Sequence, residues 1–361
     1  MRWSPTLSPV SARGSTRSAR RPRHSASHRD RAESFRAPRR LDRLTLDEAE
    51  PYYSPRHRAS SRTNGGTRNN RSTEIAVEYR LARLCVFLCT RLPLRLCYTL
   101  AEAMANALYT FCPGLRDDAE SSAADVLGQT KGSSEVSRAA RRCMANYAKD
   151  VIGLCRYGGR PAEAEARVSF EGLDRLDAAL SEGKGVIIVG LHLGSWDVGA
   201  AYLSQRHYPI NAIVLSSNGN DKLDTFMRHL RCEAGIRVIS AHGGLRPAAE
   251  ALRRNEVLAV LIDAATEGKS VKVRFLGGYA QFSAGAAVLA LRTKAAVLPM
   301  CTVRLPDNTF KGFIGERVES SLSGDFHSSI QSLTQRILDS LQGFVQQYPD
   351  QWGMMHKMES E

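Results

Sequence analysis

The sequence predicts an α/β protein: an α/β/α sandwich with a largely parallel central sheet, preceded by an N-terminal helical region and a disordered basic tail. Three observations carry this. From Val168 to Lys357, short β-branched runs alternate with helical patterns, the signature of parallel strands covered on both faces. From Ile75 to about residue 160 only helical periodicity is visible. Residues 1 to 72 are rich in Arg, Ser and Pro and poor in aliphatics, so they cannot bury enough surface to offset chain entropy.

The tail also explains the charge. Met1 to Arg71 holds 17 Arg, no Lys and 6 acids, +11 of the chain's +13. The body is therefore nearly neutral. Composition leaves four readings of the tail open: an organellar transit peptide, a polybasic tether to anionic lipid, a nucleic-acid tail, or a non-essential extension. Nothing in the near-neutral body calls for nucleic acid as a partner.

In the helical region the pattern runs from Ala76 to Phe111 with a break near Pro93, then from Asp117 to Leu127 and from Ser134 to Tyr157. Arg80, Arg83, Arg91 and Arg95 would share one side of a straight helix, with Leu and Phe between them. That pattern fits a helix lying in a membrane interface, and equally an amphipathic helix packed on its own core. The longest apolar run, Ala103 to Leu115, is shorter than the roughly 18 residues that span a bilayer.

In the α/β region, strands are expected at Gly185 to Gly190, Ile210 to Leu215, Arg237 to Ser240, Val257 to Ile262, Val271 to Phe275 and Ala296 to Val303. Helices are expected at Asp221 to Ala234, Arg246 to Arg254 and Ala284 to Thr293, the last with Ser283 as its cap. Gly277-Gly278 marks a hairpin or turn. Ligands of such sheets bind at the carboxyl ends of the strands.

That is where the chemistry-bearing residues fall. In Gly190-Leu-His-Leu-Gly-Ser-Trp-Asp197, His192 follows a strand and Ser195 can cap a helix that starts near Trp196. Asp197, in the first turn, can then fold back on the imidazole, fixing its tautomer and leaving its other nitrogen to take a proton from a hydroxyl. Alone, the same pair better describes a capped turn than a catalytic dyad. Asp263 ends a second strand. Arg231, in Phe226-Met-Arg-His-Leu-Arg-Cys-Glu-Ala-Gly235, is a candidate anion contact, with Arg228 competing for the role. Glu267 and Lys269 follow Asp263 in a loop where gating, solvation and catalysis are all open roles. Eight dispersed cysteines, without a C-x-x-C pair or a nearby histidine at ligand spacing, argue for a reducing compartment and against a metal site. There is no G-x-S-x-G elbow, P-loop or dinucleotide fingerprint, although Ser195 keeps a serine nucleophile in play.

Taken in order, these segments resemble the lipid A biosynthesis acyltransferases of the lysophospholipid-acyltransferase-like superfamily, a group that includes the phosphatidylinositol mannoside acyltransferases. His192 and Asp197 match the family's histidine, four residues, acid signature; Arg231 to Ile239 match its arginine, turn and strand; Asp263 matches a strand-end acid; and Tyr348-Pro-Asp-Gln-Trp352 with His356-Lys357 matches its closing motif. The resemblance implies transfer of an acyl group from acyl-CoA or acyl-carrier protein to a hydroxyl of a membrane glycolipid. It further implies no bound cofactor and peripheral attachment at the cytoplasmic face of the cell membrane. By the same resemblance His192 is the base, Asp197 its partner, and Arg231 and Asp263 hold substrate. Other readings are a thioesterase or lipid hydrolase on the same fold, or a non-catalytic membrane-binding protein.

Overall fold

The computed structural model describes residues 80, 82–159, 161–215, 221–241, 245–264, 270–320 and 325–353. The basic tail, Glu267, Lys269, His356 and Lys357 lie outside the described residues.

The chain begins with helices. Residues 82–91 form α1, and Pro93, whose ring fixes φ and which lacks an N–H, separates it from α2, Leu94–Phe111. After α2 come α3 (Pro113–Leu127), the long α4 (Ser134–Gly159) and the short α5 (Pro161–Glu165). The buried face of α2 carries Cys97, Tyr98, Ala101, Ala105 and Tyr109. Cys97, Tyr98 and Ala101 pack with Ile152 and Leu154 of α4 and with Leu230 of a later helix, Asp221–Glu233. No described helix is long and apolar enough to cross a membrane.

The sandwich follows as β1 (Val168–Glu171), α6 (Leu173–Ser181), β2 (Val186–Gly190), α7 (Trp196–Gln205), β3 (Ile210–Val214), α8 (Asp221–Glu233), β4 (Arg237–Ser240), α9 (Arg246–Arg253) and β5 (Val257–Leu261). An antiparallel hairpin, β6 (Ser270–Phe275) and β7 (Gly278–Ser283), precedes α10 (Gly285–Thr293), β8 (Ala296–Arg304), β9 (Phe310–Ile314) and α11 (Phe326–Gln347). The main sheet runs β1-β9-β8-β2-β5-β3-β4. From β8 to β4 all pairings are parallel, while β9 runs antiparallel to β8 and carries β1 at the edge.

Strand β2 shows why the sheet is covered on both faces. Side chains alternate along a strand, so Ile187 and Val189 enter a core shared with α9, α10 and α11, while Val186 and Ile188 enter another shared with α6 and α7. Its β-branched sequence suits a fully buried strand.

Every strand expected from the sequence is present, and three more, β1, β7 and β9, join them. Ser283 is not at the cap position of α10, which Ala284 takes, although its Oγ accepts the N–H of Gly285, the first residue of that helix, at 3.4 Å. It ends β7, where its N–H donates to the Ile262 carbonyl at 2.8 Å, because the strand continues through the serine before the chain turns into the helix.

Candidate active site

The register of two neighbouring strands builds the centre of the site. In the β2–β5 pairing, Gly190 lies opposite Leu261. His192 and Asp263 each stand two residues further on, and so meet at the carboxyl ends. His192 Nδ1 lies 2.7 Å from Asp263 Oδ1, and the His192 backbone N–H donates to Oδ2 at 2.8 Å. The Trp352 indole N–H donates to the same Oδ2 at 2.9 Å. A carboxylate only accepts, so Nδ1 carries the imidazole proton and Nε2 is left as the basic nitrogen. Asp263 is fully buried. Burial alone would raise its pKa, but the hydrogen bonds from His192 and Trp352 outweigh that and hold the carboxyl below its usual range.

The loop carrying His192 is pinned from two sides. Gly194 donates to the Gln351 carbonyl at 2.8 Å, Ser195 N donates to the Thr302 carbonyl at 2.7 Å, and Gly353 N donates back to the His192 carbonyl at 2.8 Å. Gly194 has φ +63°, and a Cβ there would stand 2.2 Å from the Thr302 carbonyl oxygen, so both conformation and space demand glycine. Trp196 stands edge-on to the imidazole at 4.9 Å between ring centroids.

Asp197 does not pair with His192, which corrects the expectation from spacing. From the first turn of α7 it reaches α8 instead, accepting Arg231 Nε at 2.8 Å and Arg231 Nη2 at 2.9 Å. The reason is topological: Asp197 has turned away onto a helix, whereas Asp263 ends the strand bonded to that of His192. Such a two-toothed contact suits the planar guanidinium. Ser195, expected as the α7 cap, makes no side-chain cap; its Oγ donates to Asp150 of α4. A serine aimed at that carboxylate, not at the imidazole, is poorly placed as a nucleophile.

His192, Asp197 and Arg231 all open onto one cavity of about 1280 Å³, whose lining includes Arg228, Asp224 and Tyr147. Away from these groups its wall is largely apolar, with Ile213, Val238, Ile239 and Val288 among the lining residues and Ser240, Thr302 and His327 interspersed. Partial burial and the nearby Asp150 and Asp197 push the Tyr147 hydroxyl pKa up. No group of three or more His, Cys, Asp or Glu among the described residues is arranged to hold a metal ion. Sequence reasoning placed Trp352 in a closing motif without a partner and passed over Tyr147, Asp150 and Arg304. The partners of these residues lie far away in the chain, so no local spacing signals them.

A family model described as bacterial lipid A biosynthesis acyltransferase matches residues 69–358. Two relatives named phosphatidylinositol mannoside acyltransferase are also similar. That of Mycobacterium tuberculosis (strain ATCC 25618 / H37Rv) is 28% identical over 213 residues, 58% of this chain and 65% of the relative. That of Mycolicibacterium smegmatis is 26% identical over 280 residues, 72% of this chain and 87% of the relative. The match thus spans just under two thirds of the M. tuberculosis protein and most of the M. smegmatis one. With helices ahead of a largely parallel sheet, and with the family match running through the His192 loop to the Trp352 segment, the chain belongs to the bacterial lipid A biosynthesis acyltransferase family.

Proposed function

We propose that this protein moves a fatty acyl group from a thioester, acyl-CoA or acyl-carrier protein, to a hydroxyl of a membrane glycolipid. The observation that carries the reading is the His192–Asp263 pair opening onto a large cavity with a largely apolar wall. Nε2 of His192 takes the proton of the acceptor hydroxyl as its oxygen attacks the thioester carbonyl. The tetrahedral intermediate then expels the thiolate, which leaves as a thiol with the proton from the imidazolium. Asp263 keeps Nδ1 protonated and stabilises the charge that His192 gains. Arg231, braced by Asp197, and Arg228 supply positive charge on the cavity wall for a phosphate of donor or acceptor. The similarity to phosphatidylinositol mannoside acyltransferases supports a phosphatidylinositol mannoside-like acceptor, and membership of the lipid A biosynthesis acyltransferases a lipid A precursor-like one.

The helices supply a means of meeting the lipid. Leu96, Leu100, Met104, Leu108 and Phe111 follow one another at helical spacing along α2 and are exposed, Met104 by 56% and Phe111 by 79%. Arg91, stacked 5.4 Å over Phe87, and Arg95 are exposed near the start of this stripe. Arginines beside an apolar stripe suit an anionic membrane surface. Since acyl thioesters are cytoplasmic metabolites, we place the protein on the cytoplasmic face of the cell membrane.

The test is transfer by the purified full chain. A labelled acyl thioester is mixed with glycolipid in anionic vesicles, and label is expected in the glycolipid with wild type and not with His192→Ala. Label released only as free fatty acid would identify a hydrolase. Undiminished transfer by folded His192→Ala would remove the base from the reading.

A further inference from the structure

Behind the His192 loop lies a buried ionic group that the proposed chemistry does not use. Arg304 ends β8 with 4% of its surface exposed, its guanidinium between the rings of Phe310 at 4.7 Å and Tyr98 at 4.9 Å. Its Nη2 donates to Oδ1 of Asp150, while Nε and Nη1 are buried without hydrogen-bond partners. The same Asp150 oxygen accepts the hydroxyl of Ser195, which is 2% exposed and three residues from His192. Asp150 also shares a small crevice with His192, Trp196 and Gln351.

Stability is a weak reason for such a group. Burying two charges costs several kcal/mol per ion, and well-packed apolar residues are often as stable. The arginine is not even fully satisfied. Meanwhile Ser195, at the start of α7, forgoes the capping bond that a serine there ordinarily makes. What the arrangement does achieve is location. Ser195 is tied by its backbone to Thr302 on β8 and by its hydroxyl to α4, and the Gln351 amide that exchanges two 2.8 Å bonds with the Arg304 backbone holds the neighbouring Trp352 segment.

We infer that Asp150, held in place by Arg304, is a positioning residue for the reaction: through the Ser195 hydroxyl it fixes the loop that carries His192 and so sets the imidazole against the acyl carbonyl. This rests on the acyl-transfer reading. Asp150 does not line the large cavity onto which His192, Asp197 and Arg231 open.

Ser195→Ala is the sharpest test, because it removes the tether and leaves the Asp150–Arg304 pair intact. Asp150→Asn weakens the counter-charge of Arg304 and is at greater risk of misfolding. With the full chain in glycolipid vesicles, kcat and both KM values are measured well below the melting temperature. The Nδ1–H resonance of His192 is followed in histidine-labelled protein and assigned by its loss in His192→Gln. A small misplacement of a reacting group costs up to about 100-fold in rate. Ser195→Ala is therefore expected to lower kcat roughly 10- to 100-fold, leave both KM values within about twofold, and broaden the Nδ1–H signal as the bond to Asp263 loosens. A folded Ser195→Ala with wild-type kcat would overturn the inference, and so would a slower variant whose Nδ1–H signal is unchanged. Absence of transfer by wild type would defeat the acyl-transfer reading itself, a separate outcome.

Discussion

Replacing Asp263 by Asn changes one atom and should change which imidazole nitrogen is basic. Oδ2 accepts two donors, His192 N at 2.8 Å and Trp352 Nε1 at 2.9 Å, while Oδ1 faces His192 Nδ1 at 2.7 Å. Asparagine offers one oxygen and one NH₂. With its oxygen at the Oδ2 position both donors are satisfied, and the NH₂ faces Nδ1. The flipped amide would instead leave two buried N–H groups unpaired, at about 1 to 3 kcal/mol each, so the first arrangement wins. Facing a donor, Nδ1 must give up its proton, and the proton moves to Nε2. The nitrogen that should receive the acceptor's proton is then already occupied. In Ser-His-Asp triads the same change of tautomer lowers kcat by roughly 10⁴, equivalent to about 5.5 kcal/mol of barrier. We expect kcat of Asp263→Asn to fall by a factor on the order of 10³ to 10⁴, with both KM values little changed. Thiol release in the presence of glycolipid gives the rate, and circular dichroism checks the fold. A folded variant within tenfold of wild type would show that Asp263 does not set the tautomer.

The same residue gives a pH signature. Its folded-state pKa lies below its unfolded value of about 3.9, so the unfolded chain takes up its proton first as pH falls. The stabilisation is complete above that value and is lost as pH drops through the folded one. Melting temperature should therefore fall more steeply below about pH 4 in wild type than in Asp263→Asn, and equal slopes would contradict this. Asp197→Asn breaks the bidentate contact with a mostly buried Arg231. It should cost about 1 to 3 kcal/mol in denaturant melts while lowering kcat far less than Asp263→Asn does; equal losses of kcat would return Asp197 to the imidazole. Gly194→Ala drives a Cβ against the Thr302 carbonyl at positive φ. A loss of more than about 2 kcal/mol is expected, with little remaining transfer, and a stable active variant would show that the loop can relax.

Much of this architecture is legible in the sequence because it is written locally. Val-Ile-Ile-Val in β2 and the run in β5 are β-branched or aliphatic throughout, as strands in the middle of a covered sheet require, and their shortness and β-branched content favour strand over helix. The missed strands lack that mark. β1 is four residues long with polar positions, and β9 is interrupted by Gly312, whose missing side chain leaves room for the Phe170 ring of β1. Its glycine weakens the strand signal for a reason lying on another strand. The candidate site shows the same division. His192, Asp197, Arg231 and Asp263 were all identifiable from type and place. Their pairing was not, because proximity in sequence favoured Asp197 while strand register brings up Asp263, 71 residues away.

The Trp352 segment bears on how the protein is made. His192 and Asp263 leave the ribosome with β8 and β9 still to come, so a growing chain holds both members of the pair long before it holds the strand that pins Ser195 or the indole that fixes the carboxylate. Alignment of the pair therefore waits on the segment that closes over Leu193, which enters the chain only after β8 and β9.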